Sequence, residues 1–129
     1  MNIGHIAIWT KNLEKMKDFY GTHFQASAGP KYVNPHSGFE SFFLSFSSGA
    51  RLELMYMPGI TLSGNDPEKQ FTGYIHLALS TGSESAVNDL TEELRKAGCP
   101  VLDGPRRTGD GYYESVILDP DGNRIEITI

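Results

Sequence analysis

Apolar and polar positions follow two rhythms along this chain, and the rhythms recur in the same order twice. Ile3 to Trp9 is a short apolar run with His5 set inside it, and residues 74–80 form another around His76. Each run is strand-sized. After each, the apolar spacing lengthens to three or four residues, the period of a helix. Leu13, Met16, Phe19 and Tyr20 share one face of the first helix, with Thr10 or Asn12 available as N-cap. Val87, Leu90, Leu94 and Ala97 form the stripe of the second. Ser83 is its expected cap, Glu84 lies in its first turn, Arg95 and Lys96 in its last, and Gly98 just beyond its end.

The rest of each half reads as strand and turn. Phe39 to Ser47 and Tyr112 to Asp119 are rich in aromatic or β-branched residues. Ser48-Gly49 and Asp121-Gly122 then supply turns that tolerate positive φ, and Arg51 to Met55 and Arg124 to Thr128 form return strands. A further strand is expected within residues 25–33 and another near residues 100–102. The halves align residue on residue. Gly49 with Gly122, Arg51 with Arg124 and Glu53 with Glu126 are each 73 apart, and His5 with His76 is 71 apart. The expected organisation is one α+β domain over 1–129. It comprises two β-α-β-β-β modules, about 1–57 and 73–129, and a Pro- and Gly-rich linker over 58–72.

Chemistry enters through the polar residues that the repeat keeps. Glu53 and Glu126 are each flanked by aliphatics, so each carboxylate faces opposite to its neighbours on a strand. Any one of the four residues alone would read as a solvated strand position. Together, His5, His76, Glu53 and Glu126 make two imidazoles and two carboxylates, a donor set suited to a divalent first-row cation. Zn or Ni leads, and Co, Mn or Fe fit the same donors.

Composition narrows the alternatives. With 39% hydrophobic residues the 129-residue chain supports a core, and no apolar stretch approaches the roughly 20 residues of a membrane span. The amino terminus lacks the layout of a signal peptide, so a cytoplasmic location is expected. The single cysteine, Cys99, has no partner for an intrachain disulfide and fits a reducing compartment. The formal net charge is −5, and the only basic cluster, Arg106-Arg107, reads as part of a loop. Neither nucleic acid nor membrane is an expected partner.

At these residues the chain resembles the vicinal oxygen chelate superfamily. Members include glyoxalase I, extradiol dioxygenases, methylmalonyl-CoA epimerase, and fosfomycin and bleomycin resistance proteins. The resemblance spans nearly the whole chain. It rests on Gly4-His5-Ile6-Ala7-Ile8, on Leu13 through Tyr20, on Arg51-Leu52-Glu53-Leu54, on residues 74–79, and on residues 118–127, Leu-Asp-Pro-Asp-Gly-Asn-Arg-Ile-Glu-Ile. It implies paired modules whose sheets curve into a half-barrel around one metal ion. Glyoxalase I carries His, Glu, His, Glu at the four positions found here. The dioxygenases and fosfomycin enzymes use three of them, and bleomycin-binding members lack the set. By resemblance the expected activity is that of a lyase or isomerase on a small oxygen-chelating substrate. Glu126 is then the principal base, and Glu53 a ligand and second candidate. A homodimer is implied as well. The alternatives are a resistance-type protein that binds without turnover, and a metal-dependent oxygenase or transferase.

The chain departs from bacterial glyoxalase I where that enzyme holds glutathione. An arginine four residues after the first histidine is Trp9 here, and an asparagine four after the first glutamate is Met57. Trp9 and Met57, with Arg107 and Tyr113, are the candidate substrate contacts. The mouth of the site is expected to be apolar, with Met55 and Phe42 or Phe43 close by. The standard glutathione hemithioacetal is therefore not the expected substrate.

Overall fold

Thr10 and Asn12 share the task of ending β1 (His5–Trp9) and starting α1 (Leu13–Phe24). Asn12 Oδ1 accepts from the Lys15 amide at 3.1 Å, and Thr10 Oγ1 accepts from the Asn12 amide at 2.9 Å. The helix stops at Gln25, which takes a left-handed conformation with φ of 56°. The expected stripe of Leu13, Met16, Phe19 and Tyr20 is buried throughout. The computed structural model describes residues 1–129 and divides into two compact units, Met1–Ser63 and Gly64–Ile129.

In the first unit β2 (Ser27–Ala28), β3 (Tyr32–Asn34), β4 (Phe39–Ser45) and β5 (Arg51–Tyr56) follow α1. The strand expected within residues 25–33 is thus two short pieces, both paired antiparallel with β4. Gly29-Pro30 lies between them, and proline has no amide to give a ladder. The open sheet runs β1-β5-β4-β2, with β1 parallel to β5. Leu44, Leu52, Leu54 and Phe42 point to the helix side and are buried. Strand alternation puts His5, Ala7, Trp9, Arg51, Glu53, Met55 and Phe43 on the other face.

The second unit repeats the plan with β6 (His76–Ser80), α2 (Glu84–Lys96), β7 (Val101–Arg107), β8 (Tyr113–Leu118) and β9 (Arg124–Thr128). Its sheet is also open and mixed, ordered β6-β9-β8-β7, with β6 parallel to β9. Ser83 caps α2 through the Ala86 amide at 3.2 Å. Val87 and Leu94 are fully buried, as are Ile117, Ile125 and Ile127 of the sheet. The stripe differs from expectation in one place. Ala97 is exposed, because the helix stops at Lys96 and Gly98 turns the chain with φ of 87°. Thr91 is buried instead, and its hydroxyl donates to the Val87 carbonyl at 2.6 Å while accepting from Ser115 at 2.6 Å.

Two further expectations are corrected here. β7 extends well past residue 102, and Arg106 and Arg107 lie in that strand rather than in a loop. Asp103-Gly104-Pro105 carries turn chemistry, but irregular register along β7 absorbs those residues within the ladder. Gly104 is required there, since its φ is 74° and a Cβ would sit 2.5 Å from the Glu114 carbonyl oxygen. No regular element lies between Tyr56 and His76. Part of that linker is tied to the second unit, where Arg124 donates to the carbonyls of Pro67 at 2.8 Å and Lys69 at 3.2 Å. No helix is long and apolar enough to cross a membrane.

Candidate metal centre

Register decides how the candidate ligands meet. In the first unit His5 stands opposite Arg51, and Ala7 opposite Glu53. In the second, His76 stands opposite Arg124, and Ala78 opposite Glu126. Each histidine is therefore a diagonal neighbour of its glutamate on one face of a parallel pair. His5 Nε2 lies 3.6 Å from Glu53 Oε2, and His76 Nε2 lies 3.4 Å from Glu126 Oε2. The side-chain exposures match as well, 46% and 14% for the first pair against 39% and 17% for the second. Each carboxylate is sheltered behind a more open imidazole.

These separations suit a shared ion. Two ligand atoms each about 2.0–2.2 Å from one cation stand roughly 2.8–3.1 Å apart at octahedral angles and roughly 3.3–3.6 Å apart at tetrahedral ones, the second range being the one both pairs match. Each unit thus presents two donors at a spacing that one ion can bridge. No group of three or more His, Cys, Asp and Glu side chains able to hold a metal occurs in the chain.

The surroundings of the two pairs differ. Phe43, paired with Glu53 across β4 and β5, supports the first. The His5 ring meets it edge-on at 5.4 Å, and the Arg51 guanidinium lies over it at 4.3 Å. Phe42, the neighbour with the opposite parity, is in the core, with the ammonium groups of Lys17 and Lys31 at 5.3 Å and 5.8 Å from its ring centre. In the second unit Val116 stands opposite Glu126, and Glu114 projects from the same face two residues earlier.

Sequence reasoning misses Glu114. Strict alternation through Tyr113, Ser115 and Ile117 is the signal that finds it, once β8 is paired with β9. Burial raises its pKa above the ordinary carboxylate range, and the nearby negative charge of Glu126 adds to the rise. A carboxyl raised in the folded state favours folding below its ordinary pKa and loses that contribution as pH rises through the raised value. In the metal-free protein, Glu114→Gln is therefore expected to melt higher than wild type at pH 7. The difference should vanish near pH 3, where both side chains are neutral. Equal melting temperatures at pH 7 would remove Glu114 as an electrostatic liability.

The candidate substrate residues fall into two groups. Trp9 ends β1 on the His5 face, is 44% exposed, and meets Phe39 edge-on at 6.0 Å. Met55 stands opposite it, and Met57, 40% exposed, lies just beyond β5. Arg107 and Tyr113 are engaged elsewhere. Arg107 pairs with Glu84 and donates to the Gly111 carbonyl at 3.0 Å, while the Tyr113 hydroxyl donates to Asn88 Oδ1 at 2.9 Å. Glu84 and Asn88 belong to α2, and Tyr113 has the parity of Ser115, opposite to that of Glu114 and the His76–Glu126 pair. Cys99 is half-buried, and burial pushes its thiol pKa up, the reverse of what a nucleophile requires.

Two modules of this topology, each with a His–Glu pair on its sheet, define a class. The chain belongs to the glyoxalase/bleomycin resistance protein/dioxygenase superfamily, whose profile matches residues 2–127. Among solved structures it is similar to the trypanothione-dependent glyoxalase I of Leishmania major. Identity there is 25%, with 99% of this chain and 86% of that one covered at a TM-score of 0.76. A glyoxalase I mutant from Zea mays matches at 21% identity and a TM-score of 0.79; the match covers 98% of this chain and 44% of that one. A glyoxylase/bleomycin resistance protein/dioxygenase domain from Frankia sp. EAN1pec shares the fold at 16% identity and a TM-score of 0.82, over 100% of this chain and 97% of that one. Comparison with curated proteins yields no significant match.

Proposed function

We propose that the protein is a divalent-metal-dependent lyase or isomerase acting on a small oxygen-chelating substrate. One observation carries this reading: the same His–Glu pair, in the same register and at nearly the same spacing, occurs in both modules. A sheet needs neither residue for stability, and both pairs leave an imidazole open to solvent. His5, Glu53, His76 and Glu126 together would hold one ion, with Zn or Ni foremost. A divalent ion in that site supplies Lewis-acid stabilisation of an oxyanion that develops on the substrate.

The chain's own groups do the rest. Glu126, sheltered and beside His76, would serve as the principal base, and Glu53 as a ligand and second candidate. Each module brings two of the four donors. The modules pair inside one chain or are exchanged between two copies, exchange being a low-cost route to a twofold dimer, and the reading includes a homodimer. A lone cysteine held as a thiol suits the cytoplasm.

Elemental analysis of the purified protein, then a turnover screen with each reconstituted metal, tests the proposal. The expected result is one bound divalent ion per set of four ligands, with turnover of an α-hydroxy or α-keto compound. Failure to take up any divalent metal would overturn it, and stoichiometric uptake without turnover would leave a sequestering protein. The methylglyoxal–glutathione hemithioacetal should be a poor substrate. Trp9 and Met57 offer neither the ion pair nor the amide contact that a charged tripeptide uses, a loss on the order of a thousandfold in affinity. Trp9→Arg should improve glutathione compounds selectively. Efficient turnover of the hemithioacetal by the unaltered protein would show an ordinary glyoxalase I.

A further inference from the structure

The chain contains five arginines, and four of them are spent on structure. Arg95 pairs with Glu92, Arg106 with Asp103 and Arg107 with Glu84, while Arg124 holds the Pro67 and Lys69 carbonyls. Arg51 is the exception. It is the repeat counterpart of Arg124, yet its guanidinium has no hydrogen-bond or ion-pair partner in the chain. What holds it is Phe43, whose ring it covers at 4.3 Å. The same ring supports His5 from the edge at 5.4 Å, and Arg51 stands directly across the strand pair from His5.

A guanidinium held over an aromatic ring, with no other partner, keeps its planar fork of donors available to a ligand. Such a fork matches a carboxylate in two parallel charge-assisted hydrogen bonds, and a stacked side chain loses little further freedom on making them. The neighbouring positions along the sheet are graded. Successive residues on one face of a strand are roughly 6.7 Å apart. Leading away from Arg51 and His5 come Ala7, Glu53 and Phe43, and then Trp9 and Met55. Trp9 continues into Phe39 at 6.0 Å, and Phe39 into Tyr32 at 6.1 Å. One face thus carries an open cation, then the His–Glu pair, then an aromatic wall.

We propose that Arg51 is a substrate-binding residue that receives a carboxylate, so that the substrates are carboxylic acids with an apolar or aromatic body. That these substrates also chelate an ion held by His5 and Glu53 rests on the function proposed above; the carboxylate contact does not require a metal.

The test uses the full-length protein stripped of metal, with benzoate and its neutral analogue benzamide titrated by calorimetry at low salt. Wild type should prefer benzoate. Arg51→Met should weaken benzoate by roughly tenfold or more and leave benzamide unchanged, and Arg51→Lys should restore part of the loss. Thermal melting checks that each variant is folded. Separate metal titration of Arg51→Met should match wild type, since the four proposed ligands are intact. No preference for benzoate, or an unchanged affinity in Arg51→Met, overturns the assignment. A benzoate preference that wild type shows and Arg51→Met loses, in a protein that takes up no metal, would support Arg51 while overturning the metal-dependent function.

Discussion

His76→Ala is expected to lower divalent-metal affinity by more than about 100-fold, and His5→Ala by a similar factor. Removing an outer partner of a metal ligand typically costs about 10–100-fold, and a ligand that donates directly costs more. In free energy the loss exceeds about 2.7 kcal/mol. The near-symmetry of the two effects is the distinctive part. Both histidines stand at the same register position, with comparable exposure and comparable distance to their glutamates. Competition titration against a chelator of known affinity measures both variants. Glu126→Gln should also abolish turnover, through loss of a ligand or base. Wild-type affinity in either histidine variant would show that its pair is a surface feature of the sheet.

Leu54→Ala should destabilise the metal-free protein by about 2–5 kcal/mol. Leu54 is completely buried, standing between Ile8 and Phe42 on the face of the first sheet that α1 covers. Truncation removes its transfer energy and leaves a cavity that the neighbouring strands fill only in part. For a chain of this size the melting temperature should fall by roughly 8–20 °C. Metal-free conditions matter, because a bound ion stabilises the folded state by mass action and would mask the loss. Met57→Ala, at a 40% exposed position, should stay within about 0.5 kcal/mol of wild type. A loss below about 1 kcal/mol for Leu54→Ala would place the core elsewhere.

Leu54 also illustrates how much of the fold is legible in the amino-acid sequence. In Leu52-Glu53-Leu54 the period of two already separates two core leucines from one outward carboxylate. The repeat then identifies the partner segment, Ile125-Glu126-Ile127, and both helices follow from apolar spacing and caps. The misses lie where local signals conflict with long-range pairing. Asp103-Gly104-Pro105 has the residues of a loop, yet β8 holds it in the ladder. Ala97 continues the helical spacing, yet the chain turns at Gly98 before that position can pack.

The division between sequence and tertiary structure follows from range. Spacing along the chain determined which residues face the core, where the helices begin and where the second one ends, and that His5, Glu53, His76 and Glu126 form a duplicated set. These properties depend on local periodicity and on two copies of one pattern. Which side chains become neighbours depends on strand register, and register is set by the packing of whole faces rather than by any local motif. Only the folded chain could show Phe43 as the support shared by His5 and Arg51, or Glu114 on the face of Glu126. It also directed Arg107 and Tyr113 to α2, and left Arg51 open while Arg124, at the same place in the repeat, was taken up by backbone carbonyls.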